Sequence, residues 1–393
     1  MYIKRELEKK IIKYMDNKEI IAVIGARQCG KTTMINHILK QYKNVKSITF
    51  ENINTKLLFE EDIESFIELY VDGYNYLFID EVQYAKNSGK ILKYIFDTQD
   101  IKIIISGSSS TDISIKSLKY LVGRIFIFHL HTFSFSEFLQ FRDEKIYKIY
   151  IKKKFGNQIN QKLLKFIHEF MKFGGYPRVV ISKTDEEKKI VLENIYNTYL
   201  LREIKEILQL SKNDKLIKLL KALSLQIGNI INYNELSQIT GFDFKTLKKY
   251  LYILEETYIC QRCNTFFTNK RNELVKAPKI YFFDNGFRNQ CVNNFDIQSQ
   301  ELGAYYENLI FSEFQKKSIK LKYWRTHSKT EVDFIQDEKI PIEIKTKPKI
   351  TKAFLSFIDR YKPEKGYIVS QIEKESIIKN NCKIYFKSFA QFI

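Results

Sequence analysis

The sequence predicts an α/β protein of several domains, and three observations lead there. An apolar strand runs into a glycine loop and then a helix at residues 19–42. A second apolar strand, within 74–85, ends on two adjacent acids. Near the C-terminus IPIEIKTK (340–347) reads as a strand, with Ile342 and Ile344 on one face and Glu343 and Lys345 on the other. At 393 residues the chain exceeds one ordinary core, so roughly two to four domains are expected.

Composition narrows the class. Hydrophobic residues at 44% and aromatics at 15% supply packed cores and exclude global disorder. No stretch approaches the roughly 18 consecutive apolar residues of a membrane helix. The start, MYIKRELEKK, is too charged for a signal peptide, so the expected location is the cytoplasm, with no membrane partner. Five cysteines, one of them in the glycine loop, make no disulfide framework. Cys260 and Cys263 have metal-knuckle spacing without a second pair, which favours ordinary thiols over zinc. The net charge of +19 is spread along the chain, so it supports a polyanion partner only weakly.

The first strand, Ile20 to Ile24, leads into Gly25, Ala26, Arg27, Gln28, Cys29, Gly30, Lys31, Thr32 and Thr33, and Met34, Ile35, Ile38 and Leu39 then repeat at helical spacing. This is P-loop spacing in strand–loop–helix context. Glycines let consecutive N–H groups face a phosphate, and the helix N-terminus adds positive potential. Residues 25–33 are the expected ATP-binding set. Lys31 is expected on the β/γ phosphates and Thr32 on magnesium.

A P-loop needs an acidic partner on a neighbouring strand, and Tyr76–Ile79 ending in Asp80 and Glu81 supplies it. Asp80 is placed to hold magnesium through water, and Glu81 to orient or deprotonate the attacking water. IKIIISGSSS (101–110) is a third buried strand. It either presents Ser106 or Ser108 to the γ-phosphate or simply ends in a serine-rich turn. A further strand, Ile125–Leu130, follows Gly123 and Arg124, and Ser134 with Glu137 forms a capping box for the next helix. Arg124 has two readings: γ-phosphate stabiliser, within the chain or in a neighbouring subunit of an oligomer, or surface salt bridge. The strands and intervening helices imply a parallel sheet.

Residues 216–263 show three helical periods and then a strand, the winged-helix pattern. Lys245, Lys248 and Lys249 lie opposite the apolar face of the third helix. They either meet DNA phosphates or form the solvated face of a protein-packing module.

Asp333 lies ten residues before Glu343, in the alternating strand TEVDFI. A turn at 336–339 makes the two strands antiparallel and brings these acids together. Glu307 stands on an amphipathic helix, 303–317. Together with Lys345 the set resembles the PD-(D/E)xK nuclease arrangement. There Asp333, Glu343 and Glu307 hold magnesium and Lys345 positions water or neutralises charge. The bland alternative is a half-buried strand with a salt-bridged, solvated face.

GARQCGKTT, LFIDEVQ, ISGSSS, LVGRIFIFHL and TFSFSEFL, continuing through FGGYPRVV, LLREIKEI, PKIYFFDNGFRN and EVDFI…IPIEIK, resemble predicted AAA+-type ATPases of archaea and bacteria that carry a C-terminal domain of unknown function. The resemblance implies a P-loop ATPase domain (1–142), a helical lid (143–206), a winged helix (207–296) and a restriction-endonuclease-like α/β domain (297–393). It also implies that the Gly-x-Pro turn of Gly174, Gly175, Tyr176 and Pro177 couples lid to nucleotide, whereas the residues themselves favour simple punctuation after the helical pattern of 161–173. At LLREI this chain has Glu203 where relatives more often carry Asp. Three functions follow in order: a magnesium-dependent ATPase switch coupled to DNA-binding or nuclease-like modules, a nucleotide-regulated DNA endonuclease, and a non-catalytic ATP-gated DNA-binding or scaffolding protein.

Overall fold

A computed structural model describes residues 2–108, 118–198, 204, 214–269, 271, 273, 276–326 and 328–393. Of the segment 200–207 only Ile204 lies among them, so Glu203 is outside the described residues. The chain forms two compact units: Met1–Phe133 with Glu256–Tyr258, and Ser134–Glu255 with Ile259–Ile393.

The first unit is built on a five-stranded parallel sheet: β1 (Ile20–Gly25), β2 (Val45–Thr49), β3 (Tyr76–Asp80), β4 (Lys102–Ser108) and β5 (Ile125–Leu130), in the order β2-β3-β4-β1-β5. Every residue of β1 is buried, because helices cover both faces of a parallel sheet. The two-residue period divides the core accordingly. Ile20, Ala22 and Ile24 pack with Leu77, Ile103, Phe66 and Leu92 on one side. Ile21 and Val23 pack with Phe78, Ile104, Met34, Ile35 and Ile38 on the other.

Two features correct the sequence reading. The acidic strand β3 does not neighbour β1, since β4 lies between them. The edge strand β2 had no expectation attached, because VKSIT is short and only half-buried.

The second unit starts with the helix Phe135–Arg142, which the sequence reading assigned to the ATPase domain. Its capping box forms as expected, and the Phe135 N–H donates to Glu313 Oε2 at 3.0 Å. Around a large apolar cluster stand the helices Asn157–Phe173, Asp185–Ile195, Asp214–Leu225, Tyr233–Thr240, Phe244–Glu256 and Asn285–Val292. The strands β6 (Cys260–Cys263) and β7 (Lys279–Phe282) pair antiparallel after the third helix of the 214–256 group. Cys260 and Cys263 are buried in β6, three residues apart and hence on opposite faces, a poor arrangement for a shared metal.

The glycine pair at 174–175 has a local explanation. Gly174 has φ +74°, and a Cβ there would stand 1.9 Å from Asp284 Oδ1. Asp284 accepts from the Gly175 N–H at 2.8 Å and caps the helix Asn285–Val292 through Phe287 N–H at 3.0 Å. GGYP and FFDNGF are two halves of one turn-on-helix contact inside the second unit, which explains both motifs without nucleotide.

A six-stranded sheet completes this unit: β8 (Leu321–Arg325), β9 (Glu331–Gln336), β10 (Ile340–Ile344), β11 (Lys365–Ser370), β12 (Lys374–Lys379) and β13 (Cys382–Ser388), in the order β12-β13-β11-β10-β9-β8. The β9–β10 hairpin forms where expected, with Ile342 opposite Phe334 and left-handed Asp337 and Glu338 in its turn. IPIEIK itself is neither an edge nor half-solvated. β10 lies between β9 and parallel β11, and Glu343 is only 2% exposed.

Candidate functional site

The P-loop lies at the C-terminal end of β1, where parallel strands leave a crevice. Gln28 at φ 60° and Gly30 at φ 93° turn the loop, and the helix Lys31–Leu39 begins directly after it. Gly25 is fixed by a neighbour: a Cβ there would lie 2.0 Å from Leu130 O on β5. Lys31 is 5% exposed and folds back over the loop, donating from Nζ to Gly25 O and Ala26 O at 3.1 Å each.

The three strand ends converge on Asp80. Thr32 Oγ1 donates to Asp80 Oδ2 at 2.7 Å, and Ser106 Oγ on β4 donates to Asp80 Oδ1. The interposed strand therefore contributes the hydroxyl that completes the network. Glu81 is left-handed at φ 54°. Gln83 Nε2 donates both to Glu81 Oε2 and, at 2.9 Å, to Ser108 Oγ. The two serines thus do different work: Ser106 faces the aspartate, and Ser108 faces the Glu81–Gln83 pair.

Arg124 is elsewhere. β5 pairs with β1 in register, Ile20 with Ile125 and Gly25 with Leu130, so Arg124 lies beyond the sheet end opposite the loop. Five strand residues separate those ends by roughly 16 Å. Its guanidinium pairs with Asp97 at 2.9 Å, which is the surface salt-bridge reading and rules out contact with a phosphate on its own loop.

Arg5 was missed by sequence reasoning. It is buried, donates from Nη1 to Cys29 O at 2.8 Å and from Nη2 to His131 O at 2.7 Å, and so ties the loop to the end of β5. Glu8 accepts from Arg5 N–H at 2.6 Å. A single arginine within MYIKRELEKK carries no periodic signal. Gln83, two residues after the acid pair, was legible as a polar residue on the loop behind them.

In the second unit Asp333, Glu343 and Lys345 meet. Lys345 Nζ lies 3.0 Å from Glu343 Oε1 and 3.6 Å from Asp333 Oδ2. The Ile344 N–H donates to Asp333 Oδ2 at 2.7 Å, and Thr351 Oγ1 donates to Glu343 Oε1 at 3.1 Å. Glu343 Oε2 is buried with no hydrogen-bond partner. Burial and then the neighbouring Asp333 push the Glu343 carboxyl up, with Lys345 opposing.

Glu307 stands near Asp333, since burial and then that neighbouring carboxylate push its carboxyl up. It accepts from Tyr281 OH at 3.1 Å, and the buried ammonium of Lys279 lies 3.7 Å away, also 2.5 Å from Glu331. Among the described residues no group of three acidic, histidine or cysteine side chains is arranged to hold a metal ion. Asp333 and Glu343 fit a cation as a pair, the orphaned Oε2 being the free donor atom, and Lys279 acts on both Asp333 and Glu307. Lys245, Lys248 and Lys249 are exposed on their helix, with the Lys248 ammonium 4.4 Å from the Phe244 ring centre.

Comparison with known proteins agrees with the first unit. Residues 17–139 match the model of an AAA domain. Residues 164–298 and 302–388 match two domains of unknown function. An uncharacterized protein of Methanocaldococcus jannaschii, MJ1544, is 26% identical over 85% of this chain and 74% of its own length. An uncharacterized Haemophilus influenzae protein is 25% identical over 90% of each. The solved Walker-type ATPase of Pyrococcus abyssi aligns with 74% of this chain and 96% of its own, at 13% identity and a TM-score of 0.48. The AAA-domain match spans the P-loop, the acidic strand and the rest of the parallel sheet. Among the described residues no helix is long and apolar enough to cross a membrane.

Proposed function

We propose that the chain is a magnesium-dependent ATPase whose nucleotide cycle acts as a switch for its C-terminal modules. One observation carries the reading: Thr32 and Ser106 both donate to Asp80 beside the buried Lys31 of the loop. Residues 25–33 cradle the triphosphate with their N–H groups, and Lys31 leaves Gly25 O and Ala26 O for the β/γ phosphates. A magnesium ion bound with ATP supplies Lewis-acid charge to the phosphates, and Thr32 and Asp80 are the residues to hold it. Glu81 takes a proton from the attacking water as the γ-phosphate bond to ADP breaks, with Ser108 beside it. Titration calorimetry tests the first step. Wild type should bind Mg-ATP and Lys31→Ala should not; equal heats from both would end the proposal. Glu81→Gln should bind ATP yet lower phosphate release by about a hundredfold or more.

We read 207–296 as a winged helix and 297–393 as a restriction-endonuclease-like domain, with 143–206 as the lid. A second reading, a nucleotide-regulated DNA endonuclease, is favoured by the buried, unpartnered Glu343 Oε2 beside Asp333 and Lys345. Asp333 and Glu343 would hold the cation and Lys345 the attacking water or the scissile phosphate. Plasmid DNA incubated with Mg²⁺ or Mn²⁺, with and without ATP, should be cut by wild type. Cutting no faster than by Asp333→Ala would refute this reading.

A further inference from the structure

The second unit contains a groove of about 850 Å³ that neither site above uses. Lys276, Arg325, Lys329 and Arg360 line it, and among the described residues that line it there is no aspartate or glutamate. Elsewhere on this unit cations lie against carboxylates, as Lys322 does with Glu273 and Glu338, and Lys387 with Glu373. Of the four lining cations Arg325 meets Glu331, at 3.3 Å, while Lys276, Lys329 and Arg360 are exposed.

Aromatic side chains form the rest of the wall. Phe267 and Tyr361 are half-buried, and Tyr323 and Trp324 are buried. Trp324 Nε1 donates to Tyr361 OH at 3.2 Å, which fixes that ring, and the Arg360 guanidinium lies 5.4 Å from its centre. Cations without carboxylates select a polyanion, and fixed ring faces select planar bases. A single strand offers both, whereas a duplex hides its ring faces and an acidic peptide has none.

We propose that this groove binds a segment of single-stranded nucleic acid, with phosphates on Lys276, Lys329 and Arg360 and a base against Tyr361. The inference deepens the endonuclease reading. Glu331, the partner of Arg325, lies two residues before Asp333 on the same face of β9. Strand binding needs no cleavage, however, so it is measured in EDTA.

The chain's single tryptophan, Trp324, lies in the groove and reports directly on it. Titrating full-length protein with a labelled oligothymidylate should change tryptophan emission and probe anisotropy together. The charge reversals K329E and R360E, combined, should weaken binding about tenfold or more and lower the salt slope by about 1.4, two contacts at roughly 0.7 each. The same change in net charge at K10E and K43E should weaken it less than about twofold. K276E is an independent reversal, read alongside circular dichroism for folding. Four results overturn the proposal: no emission change with wild type, equal loss from the control pair, equal affinity for duplex, or equally effective competition by polyglutamate. Retained strand binding without any metal-dependent cutting would end the endonuclease reading and leave the groove standing.

Discussion

Glu343 is a carboxylate placed against its own interest: 2% exposed, with Oε2 unpartnered and Asp333 alongside. Lys345 and Thr351 satisfy only Oε1. Burial raises its titration above the ordinary value of 4.5, so between that value and neutrality the folded chain binds more protons than the unfolded one. Stability contributed here is therefore lost as pH rises through that window. In EDTA, Glu343→Gln should melt at or above wild type at pH 8, and the gap should close toward pH 4.5. Parallel melting curves for the two proteins would refute the argument.

At the scale of elements, the close approach of β1 and β5 is open to test by a single substitution. Gly25→Ala would drive a methyl into Leu130 O, against backbone rather than a movable side chain. It should destabilise by about 1–3 kcal/mol, as overpacking does, seen as a lower urea midpoint at unchanged slope. An unchanged midpoint would show that the strands can part freely. The P-loop strand, the acidic strand and the β9–β10 hairpin were legible because each couples an apolar period to a turn or an ionisable residue. β2 and β12 were not: VKSIT is half-buried and KESIIK is exposed at every position, so neither shows a buried stripe. The position of β4 was also hidden, because strand order depends on crossovers between elements rather than on any local pattern.

On the scale of the whole molecule, each unit has its own apolar cores and its own sheet. Scanning calorimetry should resolve two transitions. Mg-ATP at about a hundred times its dissociation constant should stabilise one of them by about 2.7 kcal/mol and leave the other in place. Lys31→Ala should abolish that shift, and a shift of both transitions together would argue against independent units. Residues gathered from far apart escaped the sequence: Arg5 reaches Cys29 and His131, and Lys279 joins Glu307 to Glu331. Asp333, Glu343 and Lys345 were found because one hairpin holds all three.

With β4 seated between them, β1 and β3 stand roughly 10 Å apart, two strand spacings. The Thr32–Asp80 bond is then a crosstie between the outer two, and Ser106 on the middle strand holds the other oxygen of the same carboxylate. Such a joint gauges the width of the sheet itself. Substitutions that merely fan the strands, far from any phosphate, should surface as weakened magnesium affinity well before the fold gives way.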